Sequence, residues 1–250
     1  MSKRAYCAAI FHLLDDPARA GKDAWVYHAD GALVVEGGHI CAIGAWRDIA
    51  PKLAPETPVE TFTNALITPG FIDTHVHYAQ LDIIAGFGAQ LMDWLRDYAF
   101  PAEQRFADPA IAAAGAEFFL DEMLRSGATS ALVFATVHAQ SADVLFSAAL
   151  KRNMRLITGK TLMDRNAPAA LLDTPESAYA DSKALIEKWR GQGRLGYAAR
   201  LAAGLVTSGH ANSNFSSPSF SRLHAILSPG FSQTCLYFGM PLITPCGVPV

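Results

Sequence analysis

Carboxylates disappear from the last part of this 250-residue sequence: Glu187 is the final acidic residue, and no position from 188 to 250 carries Asp or Glu. A metal-ligating or proton-carrying carboxylate therefore cannot come from that stretch. Cysteine is also sparse. The four present, Cys7, Cys41, Cys235 and Cys246, have no Cys-x-x-Cys spacing. That excludes a zinc ribbon and argues against a disulfide framework, leaving free or buried thiols in a reducing compartment. Charged residues make up only 17% of the chain and the net charge is −3, so there is no electrostatic case for nucleic acid. No apolar run approaches the roughly 20 residues of a membrane span, and no membrane partner is expected. Lys3 and Arg4 precede a short apolar stretch that ends at Asp15-Asp16 without a clear small-residue cleavage site. The expectation is no signal peptide and a cytoplasmic location.

What is present is a hydrophobic content of 51%, suited to a well-buried globular enzyme. Residues 1–65 read as β-structure. Tyr6–Phe11, Trp25–His28 and Ala32–Glu36 are short β-rich runs, and Gly37-Gly38 joins the last of them to His39–Gly44 as a hairpin. From Ala65 the rhythm becomes strand then helix. A strand is expected from Ala65 to about His77, then a helical piece from Leu91 to Tyr98 that stops before Pro101. Asp108-Pro109 opens a longer helix to Arg125, with Asp as N-cap and Pro in the first turn. Strands at Ser130–Val137 and Arg155–Met163 alternate with helices at about 141–152 and from Thr174-Pro175 to Trp189. Arg194–Ala198 begins a fourth strand. This alternation predicts an α/β chain with a parallel sheet or β/α barrel. After Ala198 no period is usable.

The stretch Pro69-Gly70-Phe71-Ile72-Asp73-Thr74-His75-Val76-His77 carries the clearest chemistry. Residues two apart on a strand share a face, so both imidazoles point to one place at the strand's C-terminal end. That end is where β/α barrels build active sites, and imidazole is a common zinc ligand. Other polar residues read more plainly. Trp94 on an amphipathic helix reads as core, His138 and Asp164 after strands read as turn caps or supporting groups, Lys160 as structural and Cys41 as core.

The motif resembles the metal-binding strand of the amidohydrolase superfamily. Ala89–Leu95, Tyr98–Glu103, Arg105–Pro109, Ser126–Ser130, Phe134–His138 and Gly159–Asp164 narrow the resemblance to guanine deaminases, from near the N-terminus to about Ala198. The resemblance implies a zinc hydrolase that converts guanine and water to xanthine and ammonia in purine catabolism. It implies a partial TIM-like (β/α) barrel over 66–198, preceded by an N-terminal β-sandwich portion over 1–65. His75 and His77 would be zinc ligands, Gln80 would contact the purine, and the family is homodimeric.

The departures from the family are equally specific. The Arg that grips the base, the later histidines, the proton-shuttling Glu and the ligating Asp have no counterpart after Ala198, so no catalytic residue is assigned. His210 and His224 stand in serine-rich sequence without the expected neighbours. Residues 199–250 are expected to be a non-homologous, disordered tail, the product of a shifted reading frame or truncation, and the chain as written to be inactive. Two further readings stand beside a guanine deaminase: another amidohydrolase acting on a heterocyclic C–N bond, and a non-catalytic fragment.

Overall fold

The computed structural model describes residues 3–88, 90–198 and, for the backbone alone, 200–201. The expected tail of 199–250 thus lies outside the described residues except at Arg200-Leu201. The chain divides into two compact units between Pro69 and Gly70.

The first unit is one four-stranded sheet built from β1 (Arg4–Leu13), β2 (Trp25–Glu36), β3 (His39–Ala45) and β4 (Val59–Ile67), in the order β3-β2-β1-β4. Gly37 and Gly38 both have positive φ, +60° and +82°, which is what a tight hairpin between β2 and β3 requires. The two runs read separately at Trp25–His28 and Ala32–Glu36 are one long strand. The unit is not wholly antiparallel: β4 pairs parallel to β1. Ala5, Cys7, Ala32, Val34 and Ile49 form its core.

The strand expected from Ala65 to His77 is two strands in different sheets. β4 ends at Ile67, and β5 (Phe71–His77) begins a second sheet. Thr68-Pro69-Gly70 separates them, because proline has no N–H for a ladder and restricts the residue before it. Gly70 is required by close approach. A Cβ there would lie 2.0 Å from Thr129 Oγ1.

The second unit alternates strand and helix. Its elements are β5, α1 (Pro109–Arg125), β6 (Ala128–Phe134), α2 (Ala139–Lys151), β7 (Arg155–Gly159), β8 (Thr161–Leu162), α3 (Pro175–Trp189), β9 (Leu195–Tyr197) and β10 (Arg200–Leu201). The strands β5-β6-β7-β9 pair in that order, all parallel, and β10 pairs parallel with β8. This is the α/β architecture of β/α-barrel units following an N-terminal sheet region. Helix starts follow the sequence closely. Asp108 accepts from Ala110 N at 2.8 Å, with Pro109 at the first position. Thr174 and Ser177 form a reciprocal capping box ahead of α3. Phe119, Leu120, Leu145, Phe146, Leu156 and Trp189 belong to one core between these helices and the sheet.

Pro101 does not end the preceding helix as its position predicts. Helical backbone runs from Leu91 to Ala107, with a π-type turn at Leu95–Ala99 just before Phe100-Pro101. A π turn shifts the hydrogen-bond register, which accommodates the donor that proline lacks. The third strand breaks at Lys160 for a different reason. Its side chain is fully buried and paired with Asp173 at 2.7 Å and Asp181 at 2.9 Å, so it is structural, as its position within a strand indicated.

Candidate functional site

The His75-x-His77 pair sits at the C-terminal end of β5. Its register against β6 slips between Asp73 and Val76, so β5 carries one extra residue there. The freed His75 N–H donates to Asp73 Oδ1 at 3.0 Å, which caps this bulge locally. Both rings fall on one side. The His75 and His77 ring centroids are 5.3 Å apart, and Phe134 at the end of β6 lies against each, 4.9 Å from His75 and 4.4 Å from His77. The His77 ring is stacked on Phe134 at an interplanar angle of 7°. An apolar plate behind the two imidazoles restricts their rotation and turns their polar edges away from it.

Tyr78, immediately after His77, anchors this strand end. Its side chain is fully buried, its hydroxyl donates to the Ser141 carbonyl at 2.6 Å, and it meets Phe106 edge-on at 5.0 Å. Burial drives the Tyr78 hydroxyl well above the ordinary phenol range, so it remains a neutral donor. Ser141 in turn ties the end of β6 to α2, through Thr136 Oγ1 at 2.9 Å and the His138 carbonyl at 2.8 Å.

A cleft of about 530 Å³ opens beside the histidines, with Asp73, His75, His77, Gln80, Ile84 and Trp94 among its walls. Gln80 Nε2 donates to Glu103 Oε1 at 3.2 Å. Glu103 is 8% exposed, and burial pushes its carboxyl above the usual range, while donation from Gln80 pulls it back. Trp94 lines the cleft, contrary to its reading as core. Its indole N–H is held by the Gly86 carbonyl at 3.0 Å, which leaves the ring to form a wall. Cys41 is also not core: it is half-buried, 4.0 Å from Glu36 Oε2. Asp164 pairs with Arg165 at 2.8 Å, and the His138 Nε2 is buried without a hydrogen-bond partner.

Two converging imidazoles are suitable ligands for zinc, but they are only part of a set. Among the described residues no group of three or more His, Cys, Asp or Glu is gathered to hold a metal ion. A catalytic zinc takes three protein ligands with one open position, so the remaining ligands are not supplied by these residues. Sequence reasoning missed Glu103 and Phe134. Glu103 had one signal, a lone acid beside the small residues Ala99 and Ala102 that pack inward. Phe134 had none, because its neighbourhood with the histidines arises from strand pairing.

Residues 66–205 match the model of the amidohydrolase family. The chain is 47% identical over 189 residues to guanine deaminase of Escherichia coli (strain K12), covering 76% of this chain and 43% of that protein. The solved structure of E. coli guanine deaminase superposes with a TM-score of 0.72 at 40% identity, covering 79% of this chain and 45% of that one. The guanine deaminase of Bradyrhizobium japonicum gives a TM-score of 0.75 at 37% identity, covering 79% and 43%. The chain therefore spans less than half the length of these relatives. With this extent of match and the histidine pair at the end of its first parallel strand, the chain belongs to the amidohydrolase family.

Proposed function

We propose that this chain carries the N-terminal half of a zinc-dependent guanine deaminase, which hydrolyses guanine to xanthine and ammonia. The single observation that carries the reading is the pairing of His75 and His77 rings on one side of β5, beside a cleft that Gln80 lines, in a chain so similar to guanine deaminases. His75 and His77 would be two zinc ligands and Gln80 the contact to the purine edge, since an amide offers both donor and acceptor. Bound zinc supplies a water activated near neutral pH. The chain's own contribution is to orient the two imidazoles against Phe134 and to present Gln80.

The 250-residue chain by itself is inactive in this reading. No carboxylate follows Glu187 to shuttle protons or ligate metal. Loss of a general acid–base group alone costs roughly 10²–10⁴-fold in rate. Purified protein is expected to hold well under one zinc per chain by elemental analysis and to make no xanthine from guanine. Chelator-sensitive xanthine formation by this chain would refute the inactivity. We further propose that the tail past the end of the family match at residue 205 is read in a shifted frame. The nucleotide sequence beyond that point is then expected to encode the family's continuation in another frame. A continuous match of the tail to known proteins in its present frame would argue against that.

A further inference from the structure

We propose that Glu103 is a positioning residue that fixes the Gln80 carboxamide with its nitrogen turned inward and its carbonyl oxygen presented to the cleft, so that the cleft selects purines carrying hydrogen-bond donors on that edge. The inference rests on the guanine reading for the substrate class, but the Glu103–Gln80 pair itself is independent of it.

An amide side chain has two nearly equivalent ends, and which one faces a ligand decides whether it donates or accepts. Gln80 alone could present either. Glu103 removes that freedom. It sits on the helical turn Phe100–Gln104, 8% exposed, and its Oε1 takes a hydrogen bond from Gln80 Nε2 at 3.2 Å. An ionised carboxylate only accepts, so it must take the nitrogen end. Gln80 is part of the cleft wall, whereas Glu103 lies behind it and is not among the lining residues. Gln80 makes no other side-chain hydrogen bond among the described residues, so its Oε1 remains available as an acceptor. An acceptor matches the ring N–H and the 2-amino group of guanine. Hypoxanthine keeps the ring N–H but lacks the 2-amino donor, so it would bind less well.

The test uses the full 250-residue chain and two readouts. The first is the NMR signal of the Gln80 side-chain NH₂, assigned by its loss in Gln80→Leu. The second is equilibrium dialysis with guanine and with hypoxanthine. In the unaltered chain the NH₂ pair is expected to be shifted from free-amide values. In Glu103→Leu it is expected to move towards them. Glu103→Gln, which keeps the side-chain size, guards against a folding failure and should show the loss of one fixed orientation. The guanine-over-hypoxanthine preference should fall roughly 3- to 10-fold in both variants, the equivalent of one net hydrogen bond. A Gln80 NH₂ signal at free-amide values, or one unchanged in both variants, overturns the proposal. So does an amide that is freed while the preference stays the same, or an unaltered chain that binds the two purines equally. If the unaltered chain binds neither purine, the selection by this chain fails, while the guanine reading, which needs the ligands missing here, is judged by the zinc and xanthine measurements above. The NMR signal still decides whether Glu103 holds Gln80.

Discussion

At the scale of single residues, the buried charges and imidazoles have the largest expected consequences. Lys160 is fully buried between Asp173, itself 10% exposed at its side chain, and Asp181. Removing one partner of a buried ion pair leaves an uncompensated charge, which costs about 3–5 kcal/mol. Lys160→Ala is therefore expected to lower the denaturant midpoint sharply or prevent folding, whereas Lys3→Ala, which breaks an exposed pair with Glu36, should change it little. His12 gives a pH-dependent prediction. It is buried, stacked with His28 at a centroid distance of 5.9 Å, and its Nδ1 has no partner. Burial first, and the neighbouring His28 second, lower its pKa below the ordinary 6.5. The folded state then resists protonation that the unfolded chain accepts. The stability this neutral ring allows is present above about 6.5 and is lost as pH falls through the folded value. Glu103 acts in the opposite sense. Its raised carboxyl favours the folded state at acid pH, and that contribution is lost as pH rises through its folded value. Denaturation at a series of pH values should show a smaller acid loss in His12→Phe than in the unaltered chain. Equal losses would show that His12 is not the group responsible.

At the scale of elements, caps and close approaches place the site. Asp108 closes the first turn of α1 through Ala110 N. Asp108→Ala is expected to cost about 0.5–2 kcal/mol, read as a shift in the denaturant midpoint. Gly70 is a sharper test because its role is steric. It begins the approach of β5 to β6, where any Cβ collides with the Thr129 side chain. Gly70→Ala should destabilise the protein by roughly 1–3 kcal/mol, as overpacking does. Gly70→Ala combined with Thr129→Gly should recover part of that loss. Absence of recovery would mean that the backbone of Gly70, not its missing side chain, is what the fold needs. The helical starts at Asp108 and Thr174 were legible in sequence because capping is local. The π turn at Leu95–Ala99 was not, since it is one of several ways a helix can absorb Pro101.

At the scale of the whole molecule, the second unit shows four parallel barrel-type strands, and among the described residues β5 has β6 as its strand neighbour on one side only. A parallel barrel hides its edges by closing, and an open edge is a template for another strand. The histidine pair lies on this edge strand. The relatives are more than twice as long as the region this chain matches, which covers 43–45% of them. Co-expression with a C-terminal half of E. coli guanine deaminase is therefore expected to raise bound zinc towards one per complex and to yield xanthine. His75→Ala in that complex should remove both. A complex that forms but stays unaltered in zinc content would argue against His75 and His77 as ligands.

The sequence by itself determined the alternation of strand and helix, the caps of α1 and α3, the hairpin at Gly37-Gly38 and the shared direction of His75 and His77. Each of these depends on residues within a few positions of one another, where periodicity, dihedral preference and local hydrogen bonds act. Membership of the amidohydrolase family was also legible, because its motifs are contiguous. Tertiary structure decided the rest. It split the Ala65–His77 run between two sheets, set β4 parallel to β1, put Phe134 behind the histidines, brought Trp94 to the cleft and joined Glu103 to Gln80. These outcomes depend on which strands pair and which helices pack, and those pairings join residues far apart in the chain, whose encounter no local pattern encodes.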